Sequence, residues 1–238
     1  MLSYKEWEVK NLSRKLKDKN VQRSLVAHIN PKSYVTEQYR LIRTNILFAS
    51  VDKEIKSIAV TSSLPSEGKS TTAANLAIVM AQQNKSVLLV DADLRKPVIN
   101  YTFNVSNIEG LTSVLTKQKK LEQVILKTSI SNLNILTSGP IPPNPSELLN
   151  SDAMKKVINE MKNKFDYIIF DTPPALSVSD ASILANECDG SVMVILSGKT
   201  KKEQALKTKT LIEKSNSHLL GVVLNEHGTG STSSYYSY

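Results

Sequence analysis

Three consecutive residues, Gly68, Lys69 and Ser70, carry the first chemistry visible in the chain. They close the stretch Ser63-Leu64-Pro65-Ser66-Glu67-Gly68-Lys69-Ser70, which follows a β-branched run ending at Thr61 and precedes a helical pattern. Strand, loop and helix in that order let backbone N–H groups point at phosphate oxygens, a lysine reach the β and γ phosphates, and a hydroxyl ligate Mg2+. This is what a Walker A loop requires, and it makes Pro65, Ser66, Glu67, Gly68, Lys69, Ser70 and Thr71 the expected nucleotide contacts. Ser63 stands where the pattern usually has its first glycine, so context rather than spelling identifies the loop.

Two carboxylate clusters follow. Val87-Leu88-Leu89-Val90 leads into Asp91-Ala92-Asp93-Leu94-Arg95, where alternation puts both aspartates on one side of the chain. Tyr167-Ile168-Ile169-Phe170 leads into Asp171-Thr172-Pro173-Pro174, an apolar strand ending in a carboxylate as in a Walker B motif. One aspartate at a strand end is commonly a turn former. Three carboxylates and Lys69 at the ends of three strands point instead to phosphoryl transfer, in which hard oxygen ligands hold Mg2+ and one carboxylate orients an attacking hydroxyl or accepts its proton. Asn163-Lys164-Phe165-Asp166 spells a guanine-reading pattern, but it lies before the Walker B strand rather than after it. Adenine is therefore preferred. Asn225, after the run 221–224, is a candidate contact to the base edge, with a plain strand-ending asparagine as the alternative.

These residues need strand ends to hold them. Strands are predicted at 57–61, 86–90, 133–136, 167–170, 191–196 and 219–224, alternating with amphipathic helices at 71–83, 146–162, 180–187 and 201–215. That alternation predicts an α/β fold, a mostly parallel twisted sheet with helices on both faces and ligands at the carboxyl ends of its strands. A further helix is expected over 34–50, with Glu37, Arg40 and Arg43 three residues apart along one face, where Glu–Arg pairing within the helix on a solvated face is the plain reading. Asn144-Pro145-Ser146-Glu147 reads as a capping box. The expected organisation is a basic arm over 1–33, one nucleotide-binding domain over 34–227, and a flexible tail over 228–238 built only from Gly, Ser, Thr and Tyr.

Composition sets the outer limits. With 238 residues, 40% hydrophobic, the chain can bury the core of one large domain. Its apolar runs are too short for a membrane span or a signal peptide, which predicts a cytoplasmic protein. A single cysteine, Cys188, and three scattered histidines exclude a multi-cysteine zinc site. Residues 1–30 hold seven Lys/Arg against three Asp/Glu, half of the net +8, so the positive excess lies at the N-terminus. It suits anionic lipid or an acidic protein, or merely a solvated leader. Nucleic acid is not expected, because aromatic residues make up 5% of the chain and do not interleave with the basic ones.

Taken together, Glu37-x-x-Arg40-x-x-Arg43-Thr44-Asn45, residues 61–71, 88–97, 144–149 and 166–174, and the terminal tyrosine cluster resemble the bacterial protein-tyrosine kinases of capsule and exopolysaccharide synthesis. The resemblance covers nearly the whole chain. It implies a P-loop NTPase fold of the deviant-Walker, MinD-like type and a kinase using ATP and Mg2+. Lys69, Asp91, Asp93 and Asp171 would be catalytic, with Asp91 as candidate base for tyrosine and Ser70, Asp93 and Asp171 at the metal. It also implies autophosphorylation at Tyr235, Tyr236 and Tyr238, and a homo-oligomeric ring, such as an octamer, in which Glu37, Arg40 and Arg43 meet the next subunit and one tail enters the neighbour's site. Other tyrosine-bearing proteins would be further substrates. A separate transmembrane activator would recruit the enzyme to the inner face of the plasma membrane. The competing readings are a switch ATPase of the chromosome-partitioning or division-site type, whose signature lysine is replaced here by Leu64, and a nucleotide-binding adaptor without kinase activity.

Overall fold

Val87 and Leu89 face one side of their strand and Leu88 and Val90 the other, yet all four are fully buried, so this strand needs a layer of helices on each face. The computed structural model, which describes residues 25–49, 54–215 and 217–226, supplies both layers. Its strands are β1 (Ser57–Ser62), β2 (Val87–Asp91), β3 (Leu126–Lys127), β4 (Leu133–Leu136), β5 (Tyr167–Asp171), β6 (Gly190–Leu196) and β7 (Leu219–Asn225). They form one sheet in the order β3-β4-β2-β5-β1-β6-β7, parallel throughout except for β3, which runs antiparallel to β4.

The helices are α1 (Val26–Ile29), α2 (Tyr34–Ala49), α3 (Lys69–Ala81), α4 (Ile99–Phe103), α5 (Leu111–Leu115), α6 (Leu121–Val124), α7 (Pro145–Leu149), α8 (Asp152–Lys164), α9 (Asp180–Glu187) and α10 (Lys202–Lys214). Ile58, Val60, Val87, Leu89, Ile169 and Val192 make one apolar layer with α3. Helix α3 is buried almost all round, because Ala73, Ala74, Ala77 and Ala81 let it lie close to the sheet while α1 and α2 cover its outer side. Ala59, Leu88, Val90, Ile168 and Phe170 face the other layer, where Met154, Val157, Ile158 and Met161 recur at helical spacing along α8. Between β1 and its successor β2 lies β5, so the carboxyl ends of these three strands are neighbours.

Three expectations are corrected. The arm expected over 1–33 is shortened, since Leu25 and Ala27 belong to the core, the Ala27 N–H donates to Asn75 Oδ1 at 2.9 Å, and Gln82 Nε2 donates to the Ala27 carbonyl at 3.0 Å. The single helix expected over 146–162 is two helices, because Ser151 Oγ accepts the Met154 N–H at 3.2 Å and starts α8 anew. At Asn144 the expected capping box is absent: the side chain meets no helix N–H and instead donates to Glu147 Oε2 at 2.6 Å. Among the described residues no helix is long and apolar enough to cross a membrane. Residues 1–24 and the tail expected over 228–238 lie outside the described residues.

Candidate active site

The loop between β1 and α3 is shaped by two left-handed residues, Ser66 at φ +64° and Gly68 at φ +91°. The φ at position 68 favours glycine, and a Cβ there would also have to displace Asn225 Nδ2, 2.1 Å away. Glu67 staples the loop from inside: its carboxylate accepts the Leu64 N–H at 2.9 Å and the Thr200 hydroxyl at 2.5 Å. Asn225 Nδ2 donates to the Glu67 carbonyl at 3.1 Å, so the end of β7 is fastened to the same turn. Ser63 accepts the Thr208 hydroxyl from α10 at 2.9 Å, a contact a glycine would forgo.

Lys69 opens α3 and is 8% exposed. Its Nζ lies 3.1 Å from Asp93 Oδ2, 3.4 Å from Asp171 Oδ1 and 3.2 Å from Ser70 Oγ. Burial pulls the ammonium down, but the carboxylates of Asp171 and Asp93 outweigh it and hold the pKa above the ordinary lysine value. Asp91 and Asp171 are register partners on adjacent parallel strands, which puts two carboxyl groups side by side in a dry environment. Burial and the Asp171 charge push Asp91 up to about 8, although the Ile99 and Val98 N–H groups both donate to its Oδ2. Burial likewise raises Asp171, with Lys69 and Ser70 opposing it. One oxygen of each, Asp91 Oδ1 and Asp171 Oδ2, is buried without a hydrogen-bond partner. Asp93 differs, because Lys69 takes one of its oxygens and the Lys96 N–H the other at 3.0 Å.

The donor set fits Mg2+: an unpartnered carboxylate oxygen of Asp171 stands near the Ser70 hydroxyl. Among the described residues no group of three or more His, Cys, Asp or Glu could hold a metal unaided. That suits a cation completed by phosphate oxygens and water. Asp171 and Ser70 match the expected metal role better than Asp93, whose oxygens are both engaged.

Comparison with known proteins gives the family. Residues 55–217 match the family model described as an AAA domain. The chain is 53% identical over 225 residues to the tyrosine-protein kinase YwqD of Bacillus subtilis, covering 94% of this chain and 95% of that protein. It is a bacterial tyrosine-protein kinase.

The putative tyrosine-protein kinase CapB of Staphylococcus aureus is 40% identical, with 93% of the present kinase and 97% of CapB covered. The kinase domain of the Escherichia coli tyrosine kinase ETK superposes with a TM-score of 0.82 at 32% identity, over 90% of this chain and 84% of that one. A chimerical protein, CapA2B2, reaches the same TM-score at 44% identity, covering 85% and 89%. The septum site-determining protein MinD of Pyrococcus horikoshii, solved with Mg-ADP, reaches 0.63 at 26% identity, covering 74% of the kinase and 72% of MinD. The P-loop fold is thus shared with switch ATPases, while the closer relatives are kinases.

The kinase places its remaining expected residues unevenly. Glu37 and Arg40 form an ion pair on the outer face of α2. Arg43 turns inward, donating to the Val79 carbonyl in the last turn of α3 at 2.6 Å. Tyr235, Tyr236 and Tyr238 lie outside the described residues. Asp166 of the guanine-like pattern accepts the Ser86 N–H at 2.8 Å and Lys164 pairs with Glu122 and Glu160, so those residues are structural. A surface cavity of about 630 Å3 between Val114, residues 117–123 and Glu160 contains none of the phosphate-loop residues. Thr200 and Thr208, which brace the loop, went unread because a threonine entering an ordinary amphipathic helix carries no local signal. Arg95 and Ser146 sat inside quoted motifs, but their shared partner Asp180 did not.

Proposed function

We propose that this kinase transfers the γ-phosphate of ATP to tyrosine, that its own Tyr235, Tyr236 and Tyr238 are substrates in a neighbouring copy, and that the reaction regulates capsular or exopolysaccharide synthesis. The observation that carries the proposal is the unpartnered, buried Asp91 Oδ1 beside Lys69 and Asp171. A carboxylate whose pKa is about 8 in the isolated protein can accept a phenolic proton near neutral pH, the match a general base needs. When bound, Mg2+ would neutralise charge on the transferring phosphoryl group. Ser70 and Asp171 would hold it. Lys69 would turn its ammonium from the carboxylates to the β and γ phosphate oxygens, while the N–H groups of residues 65–71 cradle the rest. Asp93 would keep the catalytic lysine aligned. Asn225 would stand at the base edge, since its side chain already lies on Gly68.

The tail reading is supported by where β7 ends. Asn225 touches the phosphate loop, so residues 226–238 start from the catalytic edge of the sheet. Asp91 lies four strands away in the sheet order, about 19 Å at ordinary strand spacing. The nine residue steps from Glu226 to Tyr235 span about 30 Å at most. Reach alone therefore permits either an intramolecular or an intermolecular reaction. Glu37 and Arg40 pair within their own helix; in the intermolecular reading these exposed charges would instead meet the next subunit of a head-to-tail ring in which a neighbour's tail is delivered. A companion transmembrane activator is supported by the similarity to the chimerical CapA2B2. The basic residues before position 24 would meet it, or the inner membrane surface, and so bring the cytoplasmic enzyme to the membrane.

The test is incubation with labelled ATP and Mg2+ followed by mass spectrometry of the last peptide. Wild type should carry phosphotyrosine and Lys69→Met none. Mixing Lys69→Met with an active copy whose three tail tyrosines are Phe should label the Lys69→Met tail; label confined to active chains with intact tails would overturn the intermolecular step. Release of phosphate without phosphotyrosine would favour the switch ATPase, and nucleotide binding without either would favour the adaptor. Glu37→Ala/Arg40→Ala should lower the mass measured by light scattering, and an unchanged mass removes α2 from the subunit contact.

A further inference from the structure

Arg95 leaves the Asp91–Asp93 loop and meets Asp180, the first residue of α9, through two bonds: Nε to Oδ2 at 2.9 Å and Nη2 to Oδ1 at 3.2 Å. Ser146, near the start of α7, closes the triangle. Its hydroxyl donates to Asp180 Oδ1 at 2.6 Å and accepts from Arg95 Nη2 at 2.9 Å. Asp180 is fully buried, whereas Arg95 is substantially exposed. A buried carboxylate is costly without a partner, and the planar fork of arginine satisfies both of its oxygens at once. Lysine cannot copy that geometry.

The three residues come from three separate places in the chain: Arg95 from the loop after β2, Ser146 from the first turn of α7, and Asp180 from the first turn of α9. The loop that Arg95 anchors is the one that wraps the site's carboxylates. Lys96 N–H donates to Asp93 Oδ1, and Val98 and Ile99 N–H donate to Asp91 Oδ2. These bonds leave Asp91 Oδ1 as the oxygen without a partner. We infer that the Arg95–Asp180–Ser146 triangle is a positioning clamp for phosphoryl transfer: by pinning the 93–99 loop it aims Asp91 at the acceptor hydroxyl and Asp93 at Lys69. None of these hydrogen bonds involves a phosphate-loop residue. Removing the triangle therefore lowers turnover and leaves ATP binding in place. The clamp rests on the assignment of Asp91 as the base.

The experiment measures tyrosine phosphorylation by the full chain as a function of ATP concentration, with ATP affinity taken separately from a binding titration. Arg95→Ala and Asp180→Ala should each lower the rate at saturating ATP by about 30-fold or more, as a misplaced reacting group does, with the dissociation constant for ATP within about threefold of wild type. The double variant should be no slower than the slower single, because both remove one device. Arg95→Lys should not restore the rate, and Ser146→Ala should cost about threefold to fivefold. Should either alanine variant fail to fold, as circular dichroism would report, Arg95→Lys and Ser146→Ala carry the test. A rate in Arg95→Lys within about twofold of wild type, a loss that appears only as weaker ATP binding, or multiplying losses in the double variant would each overturn the clamp. Asp91→Asn, measured alongside, separates the two claims. If it stays active the base assignment fails, and if it is silent while the clamp variants are unaffected only the clamp fails.

Discussion

Two aspartates at opposite ends of the same sheet show how one side chain serves two purposes. Asp189, just before β6, has its Oδ2 filled by the N–H groups of Lys56 and Ser57 and the Ser57 hydroxyl, and its Oδ1 by Lys162 Nζ at 2.8 Å. Although burial works against it, these donors hold its pKa below the ordinary carboxylate value. Asp91, at the end of β2, has one oxygen unpartnered and a pKa pushed up to about 8. The saturated carboxylate ties strands and helix together. The starved one is a cost to the fold, and in the proposed reaction a substrate proton would relieve it.

The comparison can be broken at several points. Lys69→Met should produce the largest effect, lowering phosphotyrosine by about 10^3-fold or more. It also removes the cation that Asp93 and Asp171 share, so the variant should lose about 3 kcal/mol of stability at pH 8. The deficit should shrink toward pH 5, because Asp91, pushed up to about 8, takes up its proton on the way and Asp171 is shifted in the same direction. Urea titrations at the two pH values check this. Asp189→Asn should cost about 1.5–3 kcal/mol at pH 7 through weakened charged hydrogen bonds, with kinase activity per folded molecule unchanged. Because the folded value of Asp189 is depressed, its contribution is present above the unfolded value of about 3.9 and lost as pH falls through the folded value. The difference between variant and wild type should therefore vanish in acid. The smallest effect concerns Cys188, beside Asp189, whose thiol burial pushes up to about 12. At pH 8 a water-soluble disulfide reagent should modify it about 100-fold more slowly in the folded protein than in urea.

Asp91 and the strand it ends were legible in the chain; Asp189 was not. Strands from a buried two-sided pattern end within a residue or two of their predicted limits, because apolar runs such as 87–90 and 167–170 stop abruptly at aspartate. The phosphate loop survived the loss of its first glycine, since a strand before and a lysine and hydroxyl after leave few other uses. Short elements were not legible: α4, α5 and α6 have four or five residues and β3 two, too few to show a period. Contacts distant in sequence were equally silent. Nothing in Thr200, Thr208 or Asp180 announces a partner 30 to 145 residues away, and Arg43, expected at a subunit contact, is turned to the end of α3 by a carbonyl whose position only the packing decides.

Asp91→Asn tests the central claim most directly, because one substitution reads both sides of it. A folded value of about 8 against an unfolded value of about 3.9 means that the protonated form stabilises the fold below pH 4 and that this contribution is lost as pH rises through 8. The variant should therefore melt higher than wild type at pH 8, equal it near pH 4, and make phosphotyrosine about 100-fold or more slowly at any pH. A variant that keeps wild-type phosphorylation, or that melts lower at pH 8, would contradict the account.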